Sequence, residues 1–336
     1  MAKVSVIGAG SWGTALASVL ARNGHEVTIW SIMEEEIAML KEKREHVTKL
    51  PGVKLSEEIG LTTNLEEAVV GRELLVLAVP SVFTRSTAKN MQSFVKEGQL
   101  IVNVAKGIEE KTLMVLSDII KEEIPQARVA VLSGPSHAEE VGRRLPTTCV
   151  AGAGSREAAE FVQNTFMNDE FRVYTSPDML GIELGGALKN VIALAAGMAD
   201  GLGYGDNTKA ALITRGITEI GRLALAMGAK YETISGLTGI GDLIVTCASR
   251  HSRNRKAGML IGQGKTMEEA TAEVKMVVEG IYSAKAAMGL SEKYQVAMPI
   301  IEQVNLVLFH NKPVKEAVQE LMLRDRKAEN EQVEWV

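Results

Sequence analysis

Six residues near the start, Gly8-Ala9-Gly10-Ser11-Trp12-Gly13, constrain this chain more than any other feature. They fit Gly-x-Gly-x-x-Gly. A β-branched apolar run at residues 4–7 precedes them, and Ala15, Leu16, Val19 and Leu20 follow at the spacing of one helix face. In that strand–turn–helix setting Gly8 permits a tight turn, Gly10 lets backbone approach a pyrophosphate, and Gly13 lets helix and strand pack closely. The helix N-terminus then offers free N–H groups and a partial positive charge to phosphate. A tight βα turn without a ligand is the plain alternative, and the flanking strand and helix weigh against it. Lys3 and the small residues at 15–17 also resemble a secretion signal, but three glycines and Trp12 interrupt the apolar run, so a cytoplasmic chain is expected.

In such folds an acidic partner for the adenosine ribose ends the second strand, about 20 residues on. Here that place reads Trp30-Ser31-Ile32-Met33, with Glu34 slightly late and no Arg to take a 2′-phosphate. Lys41, Lys43, Arg44 and Lys49 lie nearby in sequence. The motif therefore specifies a dinucleotide and leaves NAD(H) and NADP(H) both open.

Apolar runs at 27–30, 74–79, 100–104, 129–132, 147–151 and 171–175 read as further strands, with helical stretches between them at 34–44, 84–94 and 112–122. This alternation predicts an α/β, Rossmann-type doubly wound domain over residues 1–180, with a mostly parallel sheet. After residue 176 no strand pattern follows. Helix formers with glycine punctuation fill 179–198, 209–227, 266–274, 281–290, 299–308 and 313–322, which predicts an all-helical domain over 181–336. The tail after Arg324 reads as partly frayed. A hydrophobic content of 46% suits two folded domains, and a net charge of −5 is a poor match for nucleic acid. The apolar run at 191–199 is too short to span a bilayer. Cys149 and Cys247 have no metal-ligand spacing and read as buried small side chains, so no metal is expected. There are 31 glycines and few aromatics (Phe 6, Tyr 5, Trp 3), which points to close backbone approaches.

A second constellation sits where the two patterns meet. Lys189 interrupts a mostly apolar helix beside Gly185, Gly186 and Asn190, and domain junctions are where substrate clefts form. A lysine there either snorkels or serves chemistry with a lowered pKa. Residues 236–242 form a glycine-dense turn ending in Asp242. Residues 249–255 then combine Arg250, His251, Arg253 and Arg255 with Ser252 and Asn254, donors suited to a phosphate group, although a solvated basic loop has the same composition. In the first domain Lys106, Gly134 and Ser136 follow strands, where doubly wound sheets bind ligands. His137 begins a helix and reads as structural.

Taken together, GAGSWGTALA (8–17), LAVPS (77–81), AKGIE (105–109), LSGPSHAEEV (132–141), the glycine-rich run 183–216, GLTGIGDLIVTC (236–247), SRNR (252–255) and VVEG (277–280) make the chain resemble bacterial NAD(P)-dependent glycerol-3-phosphate dehydrogenases over nearly its whole length. The resemblance implies an oxidoreductase that moves a hydride between NAD(P)H and dihydroxyacetone phosphate, giving glycerol 3-phosphate for phospholipid synthesis. It implies a cytoplasmic homodimer without membrane insertion. Lys189 would be the proton-transfer group. Lys106, Gly134, Ser136, Lys189, Asp242, Ser252, Arg253 and Asn254 would hold substrate. Gly8, Gly10, Ser11, Trp12, Gly13, Lys106, Ala138, Arg253, Val277 and Glu279 would line the dinucleotide, and Asn190 and Thr246 would support them. Many relatives carry Arg or His near 31–33 and an aromatic near 49, where this chain has Ser31-Ile32-Met33 and Lys49. The alternatives are a related two-domain hydroxyacid or ketopantoate-type reductase, and a non-catalytic dinucleotide sensor.

Overall fold

The computed structural model describes residues 1–326, 328 and 329. The expected fraying of the tail falls mostly on residues outside that set. Strands β1 (Lys3–Ile7), β2 (Glu26–Trp30), β3 (Gly60–Thr62), β4 (Leu74–Leu77), β5 (Leu100–Asn103), β6 (Arg128–Ser133), β7 (Thr147–Ala153) and β8 (Phe171–Ser176) form one sheet in the order 3-2-1-4-5-6-7-8. The first six strands follow the doubly wound order and run parallel, so their carboxyl ends share one edge. β7 is antiparallel to β6, and β8 is parallel to β7. The expected mostly parallel sheet is present, with one reversal that apolar content does not encode. β3 went unpredicted because three residues are too few to show a period.

Helices α1 (Ser11–Arg22), α2 (Glu34–Lys43), α3 (Leu65–Val69), α4 (Thr84–Met91), α5 (Leu116–Glu123), α6 (Ala138–Gly142) and α7 (Arg156–Phe166) connect the strands. α5 starts later than the predicted residue 112. Residues before it bend instead into an antiparallel bridge between Ile108 and Val115, with Leu113 left-handed at φ 61°. The sheet buries both faces, one under α1 and α7 (Leu16, Leu20, Phe166) and the other under α4 and α5 (Met91, Ile120).

Two residues after Pro177, α8 (Met179–Gly201) begins with Asp178 capping the Gly181 amide. α8 is apolar around its whole circumference and is buried along nearly its full length, as such a helix must be. Around it stand α9 (Asp206–Ala226), α10 (Tyr231–Ile234), α11 (Asp242–Ala248), α12 (Arg253–Gly262), α13 (Met267–Val274), α14 (Glu279–Tyr294), α15 (Pro299–His310) and α16 (Val314–Met322), with a π-turn at Leu237–Gly241. α12 was not predicted; its basic start reads as a loop in sequence. It lies against α8 at backbone distance. A methyl on Gly258 would stand 2.1 Å from the Leu194 carbonyl oxygen, and one on Gly197 would stand 2.1 Å from that of Arg255. Much of the glycine excess is therefore helix-packing surface.

Candidate active site

At the glycine loop the backbone adopts the geometry that its sequence requires. Gly8 is at φ 123° and its amide donates to Trp30 O at 2.9 Å, which ties the loop to the end of β2. A methyl on Gly13 would fall 2.0 Å from Gly8 O, so only glycine allows α1 this close to the turn. A methyl on Gly10 would meet nothing within 4 Å, so the space before the helix is open. No side chain caps the first turn of α1 and no acidic residue stands in it. Its amides are therefore free for an anion, and the cradle fits a dinucleotide pyrophosphate. Ser11 donates from Oγ to Lys49 O at 2.7 Å, and Trp12 packs partly buried on the sheet core. Ala138 opens α6, which packs on α1.

Across the same edge of the sheet, a buried carboxylate joins two ammonium groups. Lys189, in the middle of α8, donates from Nζ to Asp242 Oδ1 at 2.7 Å and to Thr246 Oγ1 at 2.6 Å. Lys106, after β5, donates to Asp242 Oδ2 at 2.6 Å and to Gly134 O at 2.9 Å. Ser136 Oγ donates to that same carbonyl at 2.9 Å. A methyl on Gly186 would crowd Ser133 Oγ at 3.1 Å but would make only ordinary contact with Lys106 Cγ, at 3.5 Å. Lys189 and Asp242 keep only 7% and 2% of their side chains exposed. Burial alone would raise the Asp242 pKa, but the two ammonium groups outweigh it and hold it below the usual range. Burial brings Lys189 down to about 8; Lys106 assists, and Asp242 opposes. The cluster carries net positive charge, suited to an anionic substrate. Lys189 can also give or take a proton near neutral pH.

A third wall links the two halves. Glu279, the first residue of α14, accepts from the amide and hydroxyl of Ser81 after β4. Next to it, the Gly280 amide donates to Asn254 Oδ1 at 2.9 Å, while Asn254 Nδ2 donates to Asn190 Oδ1 at 2.9 Å. Arg253 donates to Val277 O at 3.2 Å and is otherwise exposed. Ser252 caps α12 by accepting from the Arg255 amide. Arg255 itself pairs with Asp200 at 2.6 Å, so this part of the basic stretch is structural. Arg250 and Arg253 are the exposed arginines of the stretch.

Some contacts near the cluster follow from no single stretch of sequence. Ser81 is an ordinary residue after Pro80, and only the fold sets it against Glu279, 198 residues away. His137 and His251 come within 6.1 Å, ring to ring, with burial and Lys189 bringing His137 down to about 4. Glu183, six residues before Lys189, takes no part in the cluster; it accepts from the Ser117 amide at 2.9 Å and hydroxyl at 2.5 Å. Among the described residues no group of His, Cys, Asp or Glu forms a metal site.

Known families match both halves of the chain. Residues 3–159 match the model of the NAD-dependent glycerol-3-phosphate dehydrogenase N-terminus, and residues 178–319 that of its C-terminus. A glycerol-3-phosphate dehydrogenase [NAD(P)+] of Agathobacter rectalis is 73% identical over 335 residues, covering 100% of both chains. One from Fusobacterium nucleatum is 62% identical, covering 98% of this chain and 99% of its own. Among solved structures, a glycerol-3-phosphate dehydrogenase from Coxiella burnetii superposes with a TM-score of 0.93 at 36% identity, covering 96% of this chain and 99% of its own.

Proposed function

We propose how this chain, which belongs to the NAD-dependent glycerol-3-phosphate dehydrogenase family, divides its reaction between the glycine loop and the lysine cluster. The reaction is the reversible interconversion of dihydroxyacetone phosphate and glycerol 3-phosphate, with NAD(P)(H) as redox partner. The observation that carries the residue assignment is the single carboxylate, Asp242, shared by Lys106 and Lys189.

When bound, the nicotinamide supplies or accepts the hydride at C2. The protein manages the charge and proton. In reduction, the ammonium of Lys189 stabilises negative charge growing on the C2 oxygen and then protonates it. In oxidation, neutral Lys189 takes the hydroxyl proton. Asp242 and Thr246 fix the Lys189 Nζ and leave it one further donor direction. Lys106 adds positive field and helps to keep the Lys189 pKa low. Arg253, exposed at the mouth, grips the phosphate; Ser252 and Asn254 hold its helix start in place. Gripping the remote phosphate places C2 at the reacting centre. The amides of Gly10 and Ser11, with Trp12, receive the pyrophosphate side of the dinucleotide. Ala138, Val277 and Glu279 line its remaining contacts. The dinucleotide half ends near residue 180 and the catalytic half begins at 181.

The same reading gives a cytoplasmic homodimer that supplies glycerol 3-phosphate to phospholipid synthesis. Against membrane insertion stands α8, the one helix among the described residues apolar and long enough to cross a membrane, which is mostly buried inside the fold. Steady-state reduction of dihydroxyacetone phosphate with NADH and NADPH tests the reaction. Turnover with this ketone, absent with dihydroxyacetone, is expected. Equal turnover without the phosphate would sink the Arg253 assignment, and turnover only with ketopantoate would sink the reaction itself.

A further inference from the structure

The cofactor preference that the loop after β2 leaves open in sequence has a physical answer in the fold. Trp30 O accepts from Gly8, so the next residue, Ser31, stands beside the glycine loop where the adenosine ribose is read. Ser31 Oγ donates to Glu36 Oε2 at 2.7 Å and accepts from the Met33 amide at 3.1 Å. Lys49 Nζ donates to Glu36 Oε1, and Lys49 O receives the Ser11 hydroxyl from the first turn of α1. His46 Nε2 stands 3.5 Å from Glu36 Oε1 on the same side. Ile32 and Met33, 72% and 52% exposed, offer apolar surface at this point.

We infer that the Ser31–Glu36–Lys49 cluster makes this chain prefer a dinucleotide whose adenosine ribose carries a free 2′-hydroxyl, NAD(H), over its 2′-phosphorylated counterpart. The inference rests on the dinucleotide reading of the glycine loop. A 2′-hydroxyl can donate to a further lone pair of the Glu36 carboxylate and accept one of the remaining Lys49 ammonium protons, so it joins the existing pairing without breaking it. A phosphate only accepts at neutral pH, and it brings almost two negative charges. Burial would raise the Glu36 pKa, but His46, Lys49 and Ser31 outweigh it and hold the group at about 2, so it is charged throughout the working range. The Lys49 ammonium is already matched to that carboxylate. Turning it to a 2′-phosphate would leave Glu36 unpaired beside a dianion. The Ser31 hydroxyl has already spent its proton on Glu36. Glu34 and Glu35 fill the rest of the first turn of α2 and add to the negative field.

Equilibrium binding separates the possibilities without turnover. ADP-ribose and 2′-phospho-ADP-ribose, and NADH and NADPH, would be titrated into the intact chain by calorimetry and fluorescence. The unphosphorylated member of each pair should bind at least tenfold more tightly at low salt. The gap should shrink as ionic strength rises, because part of it is charge repulsion. Glu36→Gln should narrow the ratio several-fold, and Ser31→Arg should narrow or invert it. Equal or tighter binding of the phosphorylated members, or an unchanged ratio in Glu36→Gln, would overturn the inference. Turnover of dihydroxyacetone phosphate with both cofactors would leave the proposed reaction standing in that case. Failure of all four ligands to bind would remove the dinucleotide reading as well.

Discussion

At the glycine loop, recognition is prepared by backbone within six consecutive residues. At the lysine cluster it is prepared by side chains from three distant segments, with Lys106 and Asp242 136 residues apart. The first region offers amides and a helix end to phosphate, and its sensitivity is steric: Gly13 tolerates no Cβ because Gly8 O occupies that space. The second is electrostatic: two ammonium groups are stable in a buried setting only because one carboxylate lies between them. A loop of this kind leaves a contiguous trace in sequence. A cluster of this kind leaves isolated polar residues in apolar surroundings, each with a bland explanation of its own.

Substitutions in the two regions should therefore fail differently. Lys189→Ala should give the largest effect, a fall in maximal rate of about 10²–10⁴ with NADH binding nearly intact; a near-normal rate in stopped-flow reduction would refute the proton-transfer role. Because the Lys189 pKa is lowered to about 8, reduction should decline as pH rises through that value and the donor is lost, and oxidation should rise over the same interval. Asp242→Asn should cost roughly 10² in rate, in the range of a lost electrostatic partner. It should also move both pH limbs downward, since Asp242 is the group that raises the Lys189 pKa. Gly13→Ala should weaken dinucleotide binding about tenfold or more while leaving the pH limbs of residual activity in place. A shifted pH limb in that variant would mean that the two regions are not separable.

Smaller effects lie in the scaffold. Gly258→Ala puts a methyl against the Leu194 carbonyl and should destabilise the fold by about 1–3 kcal/mol in denaturant titration, as overpacking does. Glu183 provides the smallest signal. Burial raises it from 4.5 to about 7, against two hydrogen bonds from Ser117, so its neutral form suits the fold. Its stabilising contribution is complete below pH 4.5 and is lost as pH rises through 7. Glu183→Gln should flatten the stability profile across that window, as followed by thermal melts at fixed ionic strength.

Most of the fold was legible because its elements are longer than one period of their pattern. The buried runs at β1, β4 and β5 and the continuous apolar helix α8 need no partner to be recognised. β3, with three residues, exists through its pairing to β2, and the reversal at β7 is a matter of direction, which side-chain pattern does not record. α12 was missed because Ser252-Arg253-Asn254-Arg255 has the composition of a loop. It is helical because Ser252 caps it and glycine-bearing faces bring it onto α8. Of the site, Lys189, Lys106 and Asp242 stood out as residues, but that one carboxylate serves both lysines did not. Ser81 and Glu279 each lay in a stretch that carried the resemblance, but nothing in sequence set them opposite one another.

By itself, then, the sequence determined a glycine turn between a strand and a helix, a parallel sheet behind it, and a buried helix carrying a lysine. Those follow from local sterics and from periodic burial, which act over a few residues. Only the tertiary structure decided the partner of that lysine, the contact of Glu279 with Ser81, and the tying of Glu36 to Lys49 beside the ribose position. Each is a pairing across a loop or between domains. Its energy depends on distances that chain connectivity leaves free and that packing alone sets.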